Sequence, residues 1–453
     1  MQQGQFNGER IIKASFRRFT TVACKRVVEL SLTATLLFAT FLTLEAIAIA
    51  ATPANRGKPV TITWWILAGT NLEPLFHRVA DEYHSLNPDV RFNIELQASW
   101  NALAEKLLIA TASGAPPTIT QFHTAFLSRL LSALEPIPES IWPRKSMQEL
   151  FWNVELGAGL DGSIRFTPGG LSTGLLWLNL DLLDAAGVRP SMLTWDDLRA
   201  TARKLTRYTA DGRVQVTGFF ASEVIWDDLI YQQGQFMWDE KGKRLQLNSP
   251  AGRKALTLIY QLQVQDKSWH QVSMQPAFLQ GQIGILYEWG WLRRRVGPEA
   301  TFRWTTARIP TWNGQPKPAI GRNSYEADFA VLAAAPDAEK AAAFRFLRWL
   351  YEESSFPIER NLLGGRIPAV KKSWSDPRFA EDPVFRTTLE TIPYTIFPGE
   401  RPDWINQVLR QMYQQIREGA GIETALTTAQ EKADQQLQRE PIFWIVERRR
   451  PAQ

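Results

Sequence analysis

Gly170-Leu171-Ser172-Thr173-Gly174 has the Gly-x-Ser-x-Gly spacing of a hydrolase nucleophile elbow, in which serine sits on a sharp turn between a strand and a helix. Here Pro168-Gly169 precede the pentapeptide and a strand-like run, Leu175 to Leu178, follows it, so the context is wrong. His270 is the only histidine after Ser172 that could serve as its base. A secreted serine hydrolase using Ser172 is an alternative carried by the pentapeptide alone, and no catalysis is expected. The four histidines (His77, His84, His123, His270) show no metal-ligand spacing, so neither metal nor cofactor is expected. Asp196-Asp197 and Asp227-Asp228 are adjacent pairs whose side chains diverge, unlike a glycosidase acid and base set across one bond. The tryptophans are more telling. Trp226, Trp289, Trp291, Trp312 and Trp404 fall in irregular segments, and indole faces with a few planar polar groups suit the apolar face and hydroxyl rim of a sugar.

The elements that must position these residues read as an α/β pattern. Val60 to Ile66 is a β-branched and aromatic run and predicts a first strand. Leu72 to Leu86 carries apolar residues at helical spacing and stops at Asn87-Pro88, where proline disfavours further helix. A strand from Val90 to Leu96, a helix from Trp100 to Ala112 and a short apolar segment from Thr118 to Phe122 follow. Alternating strands and helices predict a parallel sheet. Farther on, Leu171 to Leu178 and Ile283 to Trp289 read as buried strands. Trp195 to Thr206 reads as a helix capped by Thr194, and Ala338 to Tyr351 and Trp404 to Glu418 as amphipathic helices.

A chain of 453 residues exceeds one ordinary core, so two lobes are expected. Its formal charge is +5, of which residues 1–51 hold +3, and the remaining +2 or so argues against a nucleic-acid partner. Basic residues (Arg10 to Arg26) precede an apolar stretch from Val27 that ends in Ala48-Ile49-Ala50-Ala51, the order of a secretory signal with its small-residue cleavage site. Residues 1–51 are therefore expected to be a signal peptide. Leu30 to Ala50 is also long enough for an uncleaved anchor. Either way the body faces outward, into the periplasm. The only cysteine, Cys24, precedes the apolar stretch, so the mature chain carries neither a lipid-bearing cysteine nor a disulfide. Arg448-Arg449-Arg450 reads as a solvated basic tail within residues 441–453.

The order of motifs resembles the family 1 extracellular solute-binding proteins, the capture components of ABC importers, whose best-known members bind maltodextrins. It rests on Thr63-Trp64-Trp65, Tyr83 to Val90, Ala112 to Pro117, Gly174 to Leu183, Ala186-Gly187-Val188 and Thr194 to Leu198. It continues through Phe278 to Ile285 leading to Trp291, Glu339 to Phe344, and Gly364 to Ala369. Thr118 stands where the family usually has aspartate, beside the expected site, and Leu178 where it has tyrosine.

The resemblance implies a type II periplasmic-binding-protein fold: two α/β lobes, a hinge of three crossing segments, and a ligand cleft between the lobes. Crossings near Thr167, Ile309 and Ile367, each beside a proline, would assign 58–167 plus 310–367 to one lobe and 168–309 plus 368–440 to the other. Trp291 and Trp404 align with the family's ligand-stacking positions. The same alignment turns Asn71, Phe122 and His123 toward the cleft from the first lobe, with Trp65 of the first strand. Glu223 and Trp226 face them from the second lobe, and Trp289, Arg322 and Tyr325 complete the implied set. The expected function is capture of a sugar or sugar-like polyol by a monomer that delivers it to a membrane permease. A non-sugar polar solute, such as a glycerol phosphate or a polyamine, is the alternative ligand.

Overall fold

The computed structural model describes residues 59–67, 72–123, 130–158, 161–239, 244–398, 401–440 and 448–449. Among these described residues twelve strands form one branched sheet, entered in chain order: β1 Val60–Leu67, β2 Val90–Gln97, β3 Ile119–Gln121, β4 Phe166–Asn179, β5 Arg207–Tyr208 and β6 Val214–Ala221. The later six are β7 Ile283–Trp289, β8 Trp304–Arg308, β9 Gly321–Val331, β10 Ile367–Pro368, β11 Thr395–Phe397 and β12 Arg448–Arg449. Their main order is β2-β1-β3-β9-β4-β7-β6-β5.

Local chemistry sets the elements. β1 pairs in parallel with β2 and β3, as strands joined by crossover helices do. The helix Trp195–Leu205 begins with a capping box: the Thr194 hydroxyl accepts from the Asp197 N–H while the Asp197 side chain accepts from the Thr194 N–H. The predicted strands and helices are present, most of them within one or two residues of their expected ends. Several elements have no counterpart in the pattern, chiefly β9, the helix Pro250–Tyr260 and the helix Ile422–Arg439.

β4 and β9 organise the rest. All 14 residues of β4 are buried. Its first half runs antiparallel to β9, from Phe166 opposite Ala330 to Thr173 opposite Asn323, with register shifts on both sides of Pro168. Proline has no N–H to give to a ladder, so the pairing is broken where it sits. The second half of β4 pairs with β7 and β8 instead. A core built on Leu175 to Leu178, Trp195, Trp226, Leu256, Ile285 and Leu409 lies on that side. Two further clusters surround β1 and β3: one holds Trp64, Phe76, Phe329 and Phe346, the other Trp65, Phe122, Phe166 and Leu171. Trp177 is fully buried and Trp349 packs against the rim of its cluster.

Candidate functional site

β7 carries Tyr287-Glu288-Trp289 to its C-terminal end and turns through a 3-10 segment, Gly290–Leu292, that presents Trp291. The carboxyl ends of strands are where open α/β sheets leave room for ligands. Three neighbouring elements converge here: the start of helix Ile225–Tyr231, the start of β9, and the residues leading into helix Trp404–Arg417.

The first of them supplies Asp227 and Asp228, both fully buried, whose side chains do diverge. Asp227 receives Arg322 Nη1 at 3.1 Å and Arg401 Nε at 2.6 Å. Asp228 accepts the Tyr287 hydroxyl at 2.5 Å and the Arg322 backbone N–H at 2.7 Å. A β-carbon on Gly321 would sit 2.5 Å from Asp228 Oδ1, so only glycine admits this approach. Burial pushes the Asp228 carboxyl up to about 7, against the hydrogen bonds from Tyr287 and Arg322 and the charge of Arg322. Burial also raises the Tyr287 phenol well above its ordinary value, helped by the charge of Asp228.

Glu288 sits opposite Leu175 in the β4–β7 ladder and is 5% exposed. Its Oε1 accepts both the Trp289 N–H at 2.8 Å and the Trp291 indole N–H at 3.1 Å. Burial pushes this carboxyl up to about 7 as well, offset in part by those donors and by Arg322. The Arg322 guanidinium lies 4.7 Å from the centre of the Trp289 ring, within cation–π range. Trp289 and Trp291 both remain partly exposed.

Glu223 is paired with Arg410 rather than standing free. Trp226 is fully buried and Trp404 nearly so, and neither indole N–H has a hydrogen-bond partner among the described residues. Glu223, Trp226, Trp289, Trp291, Arg322 and Trp404 thus belong to one side, where Trp226 and Trp404 are members of the core and Trp291 packs against that core.

The other expected residues lie around β1 and β3. Trp65 and Phe122 are buried in one cluster, with Lys106 Nζ 4.1 Å from the Trp65 ring centre. The His123 ring meets Trp100 edge-on at 5.2 Å. Tyr325 is on β9 opposite Leu171, and its side chain lies outside the described residues, as does Asn71. Thr118 is turned inward: its hydroxyl donates to Glu339 at 2.7 Å and accepts from the Thr63 N–H at 3.2 Å. The hydroxyl thereby ties β1 to the helix Asp337–Glu352.

Ser172 lies inside β4, 2% exposed, with its hydroxyl accepting the Gly290 N–H at 3.3 Å. His270 is engaged by the Tyr208 hydroxyl at 3.0 Å. A serine in mid-strand with no base bonded to it among the described residues is no nucleophile elbow. Among the described residues no group of three or more His, Cys, Asp or Glu is placed to hold a metal. Residue type and spacing alone do not mark Asp228, Tyr287, Glu288 and Arg401 as site residues. The available signal was an acid in an otherwise apolar strand, Ile285-Leu286-Tyr287-Glu288-Trp289.

Residues 69–355 match the family model of bacterial extracellular solute-binding proteins. The chain belongs to that family. A Brucella abortus relative designated a binding protein is 22% identical over 379 residues, covering 80% of this chain and 89% of its own. An ABC substrate-binding protein from Listeria monocytogenes in complex with cycloalternan superposes with TM-score 0.69 at 20% identity, covering 83% of this chain and 99% of that one. UgpB from Mycobacterium tuberculosis in complex with glycerophosphocholine gives TM-score 0.71 at 15% identity, covering 84% and 100%. The fold is accordingly the two-lobed type II fold, and this family member is an extracellular solute-binding protein rather than an enzyme.

Proposed function

We propose that this solute-binding protein captures a neutral polyhydroxylated solute, a sugar or sugar-like polyol, by lobe closure and passes it to a membrane permease. The observation that carries this reading is the charge balance beside the tryptophans. Arg322 and Arg401 share Asp227, and Arg410 faces Glu223, so the cations at this end of the core already have carboxylate partners. A phosphate would have to compete with those carboxylates, whereas hydroxyls only need donors and acceptors with an aromatic face beside them. Trp289 and Trp291, both partly exposed, supply that face.

The sugar reading draws support from a structural neighbour solved with cycloalternan, and the glycerol phosphate reading from the one solved with glycerophosphocholine. Asn71 and His123 would line the opposite wall, with the buried Trp65 and Phe122 backing it and Tyr325 and Glu223 at the rim. Lobes of 58–167 plus 310–367 and 168–309 plus 368–440 would meet at the crossings near Thr167, Ile309 and Ile367. Residues 1–51 would direct export to the periplasm, and the mature chain would act as a monomer.

Intrinsic tryptophan fluorescence of the mature chain tests the ligand class, titrated with maltotriose, other di- and trisaccharides, polyols, glycerophosphocholine and putrescine. Saturable change with a saccharide or polyol is expected. Response only to glycerophosphocholine or putrescine keeps the fold and overturns the sugar. The mass of the protein recovered from its own cell decides export: loss of about 50 residues means cleavage after the signal segment.

A further inference from the structure

We infer that Glu288 is a positioning residue for solute capture: its Oε1 fixes the Trp289 backbone and the Trp291 indole together, and its Oε2 is left to meet the solute. The inference rests on the cleft reading above. Both hydrogen bonds end on the same oxygen, at 2.8 Å and 3.1 Å, and Oε2 makes none among the described residues. One carboxyl therefore sets the direction of a partly exposed indole three residues away and closes the turn that carries it. The turn has little freedom otherwise. The Gly290 N–H is held by Ser172, and a β-carbon on Gly290 would lie 2.3 Å from the Gly365 carbonyl oxygen.

A buried carboxyl with one unbonded oxygen works in two ways. Protonated, Oε2 donates; ionised, it accepts, and Oε1 holds the indole N–H more strongly. The groups around it set the balance. From β9, Arg322 favours the ionised form, while Glu223, ahead of helix Ile225–Tyr231, opposes it and is itself met by Arg410. β4 contributes apolar Leu175 opposite, and the Trp177 indole donates to the Glu288 carbonyl at 3.1 Å. The continuing turn brings Arg293, which Asp382 engages at 2.5 Å. Burial dominates and pushes the carboxyl up to about 7.

Two measurements on the mature chain test this. In the ligand-free protein, the Trp291 indole N–H resonance is identified by its loss in W291F and followed from pH 5.5 to 8.5. It is expected to titrate with one midpoint in the wild type, to stay fixed in E288Q, and to move to a solvent-like position in E288A. An unchanged resonance in E288A, or titration that persists in E288Q, overturns the positioning role. In the second measurement, maltotriose affinity is expected to weaken about tenfold in E288A, the scale of one lost charge-assisted hydrogen bond, and to lose its pH dependence in E288Q. Wild-type-like affinity and pH dependence in both variants overturns the contact through Oε2. If neither maltotriose nor any other saccharide or polyol binds the wild type, the sugar reading falls and the Oε2 contact with it, while the indole resonance still decides whether Glu288 holds Trp291.

Discussion

Replacing Gly321 by alanine tests whether the Asp228 carboxyl is locked where the structure places it. The added β-carbon would lie 2.5 Å from Asp228 Oδ1 and 2.8 Å from its Cγ, with Ile309 at 3.1 Å on the other flank. Gly321 is not at positive φ, so alanine brings no backbone strain and should gain about 0.4–1 kcal/mol through the unfolded chain. Against this, Asp228 must retreat from both the Tyr287 hydroxyl and the Arg322 N–H. Leaving those buried donors unmet costs about 1–3 kcal/mol each. The net expectation is a loss of roughly 1–5 kcal/mol. Urea unfolding followed by fluorescence reads it, with the slope checked for two-state behaviour. The decisive comparison is a double-mutant cycle: in a D228A background the clash is gone, so G321A should cost under about 0.5 kcal/mol. Additive costs, or a G321A protein as stable as the wild type, would refute the steric account.

The pH dependence has a definite sign. Asp228 and Glu288 are both raised by burial to about 7, so between about pH 4 and 7 the folded chain holds protons that the unfolded chain has released. Stability to urea should therefore fall as pH rises through that window, by on the order of 3 kcal/mol per group, and level off above it; D228N should flatten the slope. T118V removes the hydroxyl shared by Glu339 and the Thr63 N–H and should lower stability by about 1–3 kcal/mol while leaving solute affinity unchanged, since Thr118 is turned inward. S172A should show the same absence of ester hydrolysis as the wild type and lose about 1 kcal/mol of stability with the acceptor for Gly290.

The elements most legible in the sequence were those whose pattern is local. Thr194 capping Trp195–Leu205, proline ending Glu73–Leu86, and the apolar run of β7 need only a few neighbours in the chain to declare themselves. β9 stayed hidden. Arg322, Asn323 and Asp328 break its apolar pattern because each is a polar group hydrogen-bonded to a distant residue, and no window along the chain shows those partners. The site divides in the same way. Trp289 and Trp291 were visible as aromatics in an irregular stretch. The fixing of that stretch by Glu288, and the neutralising of Arg322 by an aspartate 95 positions earlier, are long-range facts. Trp65, Phe122 and Trp226 are packed into cores, and that burial comes from neighbours distant in the chain that residue type alone does not show.

β4 also governs when the protein can fold. Its first half completes one core and its second half another, but Phe166 pairs with Ala330 and Gly174 with Trp289, residues made long after it. A ribosome that has released β4 has therefore released a strand without partners, and neither core can close until β7 and β9 follow. Pairings this distant in the chain make folding slow. The nascent polypeptide stays threadable for most of its synthesis, the condition a chain must meet if it is to pass through a membrane pore before it acquires a shape.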